Sequence, residues 1–142
     1  MNIGIFIFDG VEELDFVGPY EVLTSWARQA EDERELSVFT IARTAEPVTC
    51  SHGLRVIADR TWDEAPPLDV LVFPGGRVGR VMEDAPVLDW VRRTRDSGDV
   101  VTAAGVSAGI DMALHLVARL DSTDRAEWVR RYMQYETPLY VS

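Results

Sequence analysis

The stretch from Asp99 to Leu120 constrains what this chain can fold into more than any other. Val100 to Ala104 is an apolar run too short for a helix and bounded by Gly98 and Gly105, which predicts a buried strand. From Ser107 the period lengthens: Ile110, Met112, Ala113, Leu114, Leu116, Val117 and Leu120 are apolar nearly all round. Asp111, His115 and Arg119, at i, i+4 and i+8, leave only a narrow polar stripe, so the helix is expected to pack against a sheet over most of its surface. Strand, small-residue turn and buried helix form the unit from which α/β folds build sites at strand carboxyl ends.

The remaining chain supplies the partners such a unit needs. Asn2–Phe8 reads as a first strand, ended by Asp9-Gly10 and followed by an acidic loop carrying Glu12, Glu13 and Asp15. A helix with Phe16, Tyr20, Leu23 and Ala27 on one face follows, and Gly18-Pro19 is compatible with it only near the first turn. Leu36–Ala42 is a second strand, and Glu46–Asp59 a hairpin turning at Cys50-Ser51-His52-Gly53. Asp69–Phe73 is a continuous apolar strand ending in Pro74-Gly75-Gly76. Asp84 is placed to cap a helix that turns Val87, Trp90 and Val91 inward, and Ser122 to open a last one with Ala126, Val129, Tyr132 and Met133 inward. This alternation predicts an α/β fold, a three-layer sandwich on a shortened, mostly parallel sheet, with residues 1–142 as a single domain. Three tight loops, Asp9–Asp15, Gly75–Arg80 and Gly105–Gly109, are expected to follow central strands and gather at their carboxyl ends.

Composition removes several function classes. The net charge of −10 repels phosphate backbones and anionic membranes, so neither nucleic acid nor a membrane is an expected partner. All 14 basic residues are arginine, which excludes a Schiff-base lysine and a P-loop lysine. No apolar run reaches the roughly 18 residues of a bilayer span, and Met1-Asn2-Ile3-Gly4 lacks a basic flank; a cytoplasmic location is expected. A single cysteine, Cys50, allows neither an internal disulfide nor a cysteine metal cluster, and two distant histidines make no metal site.

Each candidate residue has a structural and a chemical reading. Asp15 is either a general acid/base or a carboxylate favoured at a helix N-terminus. Glu12 and Glu13 read as a solvated loop, and Glu21 as structural. Gly75-Gly76 is either a backbone nest for an oxyanion or a tight turn needing positive φ. Gly105-Val106-Ser107-Ala108-Gly109 matches Gly-x-Ser-x-Gly, yet the later His115 lies on the same helix and cannot face Ser107, so close backbone approach or a helix cap is the better account. Cys50 and His52 sit in a hairpin turn with nothing evident to lower the thiol pKa. Asp111 and His115 read as a surface pair, and Trp26, Trp62, Trp90 and Trp128 as core or interface residues.

Taken together, Phe8-Asp9-Gly10 with Leu14-Asp15-Phe16-Val17-Gly18-Pro19, then Val72-Phe73-Pro74-Gly75-Gly76, then Ala104-Gly105-Val106-Ser107-Ala108-Gly109-Ile110-Asp111 resemble the DJ-1/PfpI superfamily. The nearest branch resembles the isonitrile hydratases and the related ligand-type domains of AraC-like regulators. The resemblance implies a flavodoxin-like sandwich, usually dimeric, that works without a cofactor. It also implies a nucleophilic cysteine on a strand-to-helix elbow, with an acid beside it. Asp15 matches that acid, and Gly75 and Gly76 match the loop lining the same pocket; Gly105, Val106 and Ser107 would line its other side. Asp96-Ser97-Gly98-Asp99 joins directly to what resembles the family's last strand, so the segment that normally carries the cysteine is absent.

Two functions are therefore expected of such a chain. One is an isonitrile hydratase-like enzyme, or a related acid/base lyase, using Asp15 across a small cavity between the two glycine corners. The other is a catalytically inactive ligand-binding or interaction module of the same family. A small molecule is the expected ligand in both. The shortened sheet leaves an edge, which predicts a homodimer that completes it, by strand exchange in one form.

Overall fold

The computed structural model describes residues 1–29, 35–102, 105 and 107–136. Five strands form the main sheet: β1 (Asn2–Phe6), β2 (Ser37–Ala42), β5 (Arg60–Thr61), β6 (Val70–Phe73) and β7 (Asp99–Thr102), in the order β5-β2-β1-β6-β7 and parallel throughout. β3 (Val48–Thr49) and β4 (Arg55–Val56) form the expected hairpin, paired antiparallel. The helices are α1 (Glu13–Gln29), α2 (Gly79–Glu83), α3 (Ala85–Arg95), α4 (Ala108–Leu120) and α5 (Thr123–Tyr132).

Handedness assigns the layers. The crossover from β1 through α1 to β2 steps one way along the sheet, and that from β6 through α3 to β7 steps the other. Both being right-handed puts α1 and α3 on opposite faces. Phe6 accordingly meets Trp90 of α3, with ring centroids 5.2 Å apart. Ile3, Ile5 and Ile7, the alternate residues of the β1 segment, are fully buried with Leu114, Leu116 and Val117 of α4 in one core. The expected α/β sandwich on a parallel sheet is what forms. No described helix is long and apolar enough to cross a membrane.

Several local expectations are corrected. β7 is an edge strand, not a buried central one: Val100 and Val101 are half-buried, while Asp99 and Thr102 are exposed. An apolar run alone does not tell a central strand from an edge that a neighbouring helix half covers. α4 keeps its predicted polar stripe of Asp111, His115 and Arg119, but packs between α1 and α5. Asp111 and His115 form no pair with each other among the described residues. Pro19 lies in the second turn of α1, because that helix starts at Glu13 rather than near Phe16. The side chain of Asp84 does not cap α3; it pairs with Arg43 instead. Ser122 does cap α5, accepting from the Arg125 N–H at 3.1 Å. Tyr132 faces outward at 61% exposure, stacked on Trp128 with centroids 5.2 Å apart. β5 and α2 had no sequence signal, being two and five residues long. Trp26 is buried and donates its indole N–H to Asp121 at 2.9 Å.

Gly98 explains how the shortened connection closes. A Cβ there would stand 2.4 Å from the Leu68 carbonyl oxygen, so only glycine lets the chain turn from α3 straight onto β6. β7 then pairs with β6 from Val70↔Asp99 to Phe73↔Thr102.

Candidate functional site

The strand order reverses between β1 and β6, and in open α/β sheets that switch point is where ligands bind. The loops leaving the two strands are laced together. Glu12 N–H donates to the Gly75 carbonyl at 3.1 Å, Arg77 N–H donates to the Gly10 carbonyl at 2.8 Å, and Val11 bridges Gly76. Gly76 has φ +129°, and a Cβ there would lie 2.4 Å from the Gly10 oxygen and 2.6 Å from the Glu12 nitrogen. Of the two readings of the glycine pair, the geometry shows the tight turn: Gly76 makes a turn only glycine can make, while the Gly75 amide is taken by the carboxylate of Asp15.

That acid is Asp15, in the first turn of α1 and only 8% exposed. Its Oδ2 accepts from Gly75 N–H at 3.1 Å, and a Cβ on residue 75 would stand 2.5 Å from the same oxygen. Its Oδ1 is buried with no partner among the described residues. Burial pushes the Asp15 carboxyl above its ordinary 3.8; the Gly75 hydrogen bond opposes this, and the charge of Glu12 reinforces it. The group holds its proton to higher pH than a free aspartate, as a proton donor requires.

Behind Asp15, α1 and α4 approach closely. Pro19 has no N–H to give the Asp15 carbonyl, and a Cβ on Gly109 would sit 3.4 Å from that oxygen and 3.2 Å from the Pro19 ring. A Cβ on Gly18 would lie 2.8 Å from Ile110. The mid-helix proline is accommodated because two glycines let α4 cover it. The glycine of this turn that meets Asp15 is Gly109, at the backbone carbonyl and not the carboxyl, whereas a Cβ on Gly105 would meet only Ala108 among the described residues. Gly105 has φ +98° and marks the turn into α4. Ser107 is exposed and in helical conformation, with no side-chain capping bond, so the expected cap is not made. Val106 lies outside the described residues. The hollow expected between the corners would have Val106 in its wall, so it falls partly outside the described residues.

The acidic loop is more structured than a solvated loop. Glu13 accepts at Oε1 from the His52 backbone N–H (2.9 Å) and at Oε2 meets His52 Nδ1 (3.0 Å), while Ser51 Oγ–H donates to Glu12 at 2.6 Å. Despite some burial, hydrogen bonds from the His52 side chain and from backbone N–H groups hold Glu13 down at about 2, and the Glu13 hydrogen bond with the charges of Glu12 and Glu13 raises His52. The hairpin tip is thereby latched onto the start of α1, beside Asp15. Glu13 contributes stability that is lost as pH falls from 4.5 towards about 2, and His52 contributes stability that is lost as pH rises through its raised value. Between pH 4.5 and 6.5 both contribute, so thermal melts should show the largest native-minus-His52→Ala gap there and a shrinking gap on either side.

These groups are also the ones that could hold a metal, since donor atoms of Glu12, Glu13 and His52 lie within 4.8 Å of one another. Spacing along the chain gave no sign of it; hairpin and helix are joined only in the fold. Cys50 is buried, and burial followed by the charges of Glu13, Asp9 and Glu12 pushes its thiol up, which disfavours the thiolate a nucleophile needs.

Comparison with known proteins agrees with these motifs. Isonitrile hydratase of Pseudomonas putida is 27% identical over 186 aligned positions, covering 95% of this chain and 78% of its own. Those positions outnumber the 142 residues here, so the relative carries insertions that this chain lacks. Among solved structures, a THiJ/PfpI family protein from Pseudomonas syringae superposes with TM-score 0.82 at 20% identity, covering 99% of this chain and 77% of that one. Toxoplasma gondii DJ-1 in its oxidized form superposes with TM-score 0.74 at 17% identity, covering 96% and 99%. The DJ-1/PfpI family profile matches residues 1–119, and the chain belongs to the DJ-1/PfpI family.

Proposed function

We propose that the chain is a cytoplasmic, cofactor-free enzyme that hydrates a small isonitrile to an N-substituted formamide, with Asp15 as its acid/base. The observation carrying this reading is a buried carboxyl whose one oxygen is fixed by Gly75 and whose other has no partner among the described residues. Isonitriles are protonated at carbon. Asp15 gives its proton to that carbon, water adds to the resulting nitrilium carbon, and the water's surplus proton returns to the Asp15 carboxylate. The formimidic acid so formed tautomerises to the formamide, with one water consumed and Asp15 restored. No thiolate is needed, in keeping with the missing elbow and the raised thiol of Cys50. The Gly75 amide favours the carboxylate left after proton donation, while burial favours the acid before it, which brings the two states closer in energy. Incubation with a small alkyl isonitrile, followed by the formyl proton in NMR, tests this; no formamide above the uncatalysed rate refutes it.

A second reading, a ligand-binding or interaction module, is supported by the missing cysteine elbow, which removes the family's nucleophile while leaving the fold in place. Both readings accommodate a homodimer. The edge at β7 is short, and its Asp99 is tied to Arg119 at 2.7 Å, which discourages strand addition there. A better surface is Leu14 and Val17 on α1 with Leu54 and Ile57 on the hairpin, all exposed, Ile57 at 68%. Leu54 N–H reaches Glu13 at 3.4 Å, which sets the two pairs side by side. Light scattering should give twice the 15.9 kDa chain mass, falling to the monomer in Ile57→Glu; a native monomer would overturn the dimer.

A further inference from the structure

Two cavities on the α3 side of the sheet are not used by the Asp15 chemistry. The first, about 330 Å³, opens at the carboxyl ends of β1 and β2, with Phe6, Phe8, Val81 and Val87 in its walls. The second, about 460 Å³, lies between the hairpin and α2 and includes Arg77 and Thr49. Asp9 and Arg80 line both, so the two meet side by side. Each is of the size that takes a small organic ligand, roughly 300–1,000 Å³. The location, outside strand carboxyl ends, is where this architecture binds ligands.

The charges around the junction differ in how they are committed. Arg43 pairs with Asp84 at the mouth. Asp9 accepts from the Thr49 N–H at 2.8 Å, and Arg77 donates to the Ser51 carbonyl at 3.2 Å. Arg80 makes no ion pair or side-chain hydrogen bond among the described residues. In the second cavity two guanidinium groups face one carboxylate, while Glu46 and Asp9 make the opposite rim of the first acidic. An anion is therefore drawn to the Arg77–Arg80 side, and an apolar body to the phenylalanine–valine side. A guanidinium with free N–H groups pairs with a carboxylate through two parallel hydrogen bonds.

We infer that this joined cleft is a second ligand site, for a small organic carboxylate whose apolar body lies against Phe6, Phe8, Val81 and Val87 and whose carboxylate pairs with Arg80. The site is separate from Asp15 and stands whether or not the hydratase reading does. A neutral isostere gains the same apolar contact but cannot form the paired hydrogen bonds, so charge is the discriminating feature.

Calorimetric titration of the full chain with phenylacetate and with phenylacetamide tests the inference. Saturable binding of phenylacetate is expected, weakened by about tenfold or more both in the amide and in Arg80→Gln, the size of one lost charge-assisted pair. Arg80 is exposed, so its substitution leaves the fold intact, and isonitrile turnover by that variant should match the native chain. Backbone amide shifts on phenylacetate addition should centre on Phe8, Val48 and Val81. Equal affinity for acid and amide, native affinity in Arg80→Gln, or no saturable binding at all would each overturn the assignment.

Discussion

Gly76→Ala should lower the stability of the chain by roughly 3 kcal/mol or more, enough to threaten folding at physiological temperature. Two independent costs combine there. At φ +129° an L side chain is strained whatever the surroundings, and the added methyl would stand 2.4 Å from the Gly10 oxygen, 2.6 Å from the Glu12 nitrogen and 2.8 Å from Val11 Cα. All three are backbone atoms, so no side chain can rotate aside. Relief requires the β1–α1 loop to separate from the β6–α2 loop, breaking the Glu12–Gly75 and Arg77–Gly10 hydrogen bonds. Gly53→Ala serves as the control: its φ is also positive, +97°, but a Cβ would meet nothing within 4 Å. Chemical denaturation of the two variants separates strain from collision. A Gly76 variant no less stable than the Gly53 variant would show that the loops are not held as described.

The control also shows what a sequence can and cannot announce. Pro74-Gly75-Gly76 after an apolar run marks a loop, but nothing in the run says that Gly75 is needed for Asp15 and Gly76 for Gly10. Those requirements arise only when β1 and β6 become neighbours, although they lie far apart in the chain. The apolar spacing of Asp99–Leu120 read a strand and the helix stripe correctly over the described residues, with Ala103, Ala104 and Val106 lying outside them, because local period reports which faces are covered. It misplaced β7 at the centre because period does not report what covers a face. Asp15 was legible through its motif, and its burial and an Oδ1 without a partner among the described residues were not. Glu12 and Glu13 read as solvated because their partners, Ser51 and His52, come from the hairpin. Arg80 had no signal at all: it sits in a five-residue helix the period could not reveal, and its interest lies in having no partner among the described residues.

Asp15→Asn should abolish isonitrile turnover, by about 10²–10⁴-fold for loss of the general acid, while leaving the fold at least as stable at neutral pH. The two effects have one cause. In the folded chain Asp15 binds its proton more tightly than in the unfolded chain, since burial raises it above 3.8. Its protonated form therefore supports folding at pH below 3.8, and that support is lost as pH rises through the folded-state value. Above it, the native fold holds a buried charge with a single hydrogen bond among the described residues. Asparagine accepts from Gly75 N–H in the same place and never ionises, so its stability should not decline across that interval. Denaturant unfolding at a series of pH values should thus show the variant drawing level with and then overtaking the native chain as pH rises, and the excess reaching a plateau. Parallel curves would mean that Asp15 has the same proton affinity folded and unfolded, which would remove the physical basis for its role as acid. Parallel loss of activity and of stability would instead make Asp15 a support for the Gly75 loop. Only gain of stability together with loss of turnover identifies a carboxyl kept at a cost to the fold for the sake of a reaction.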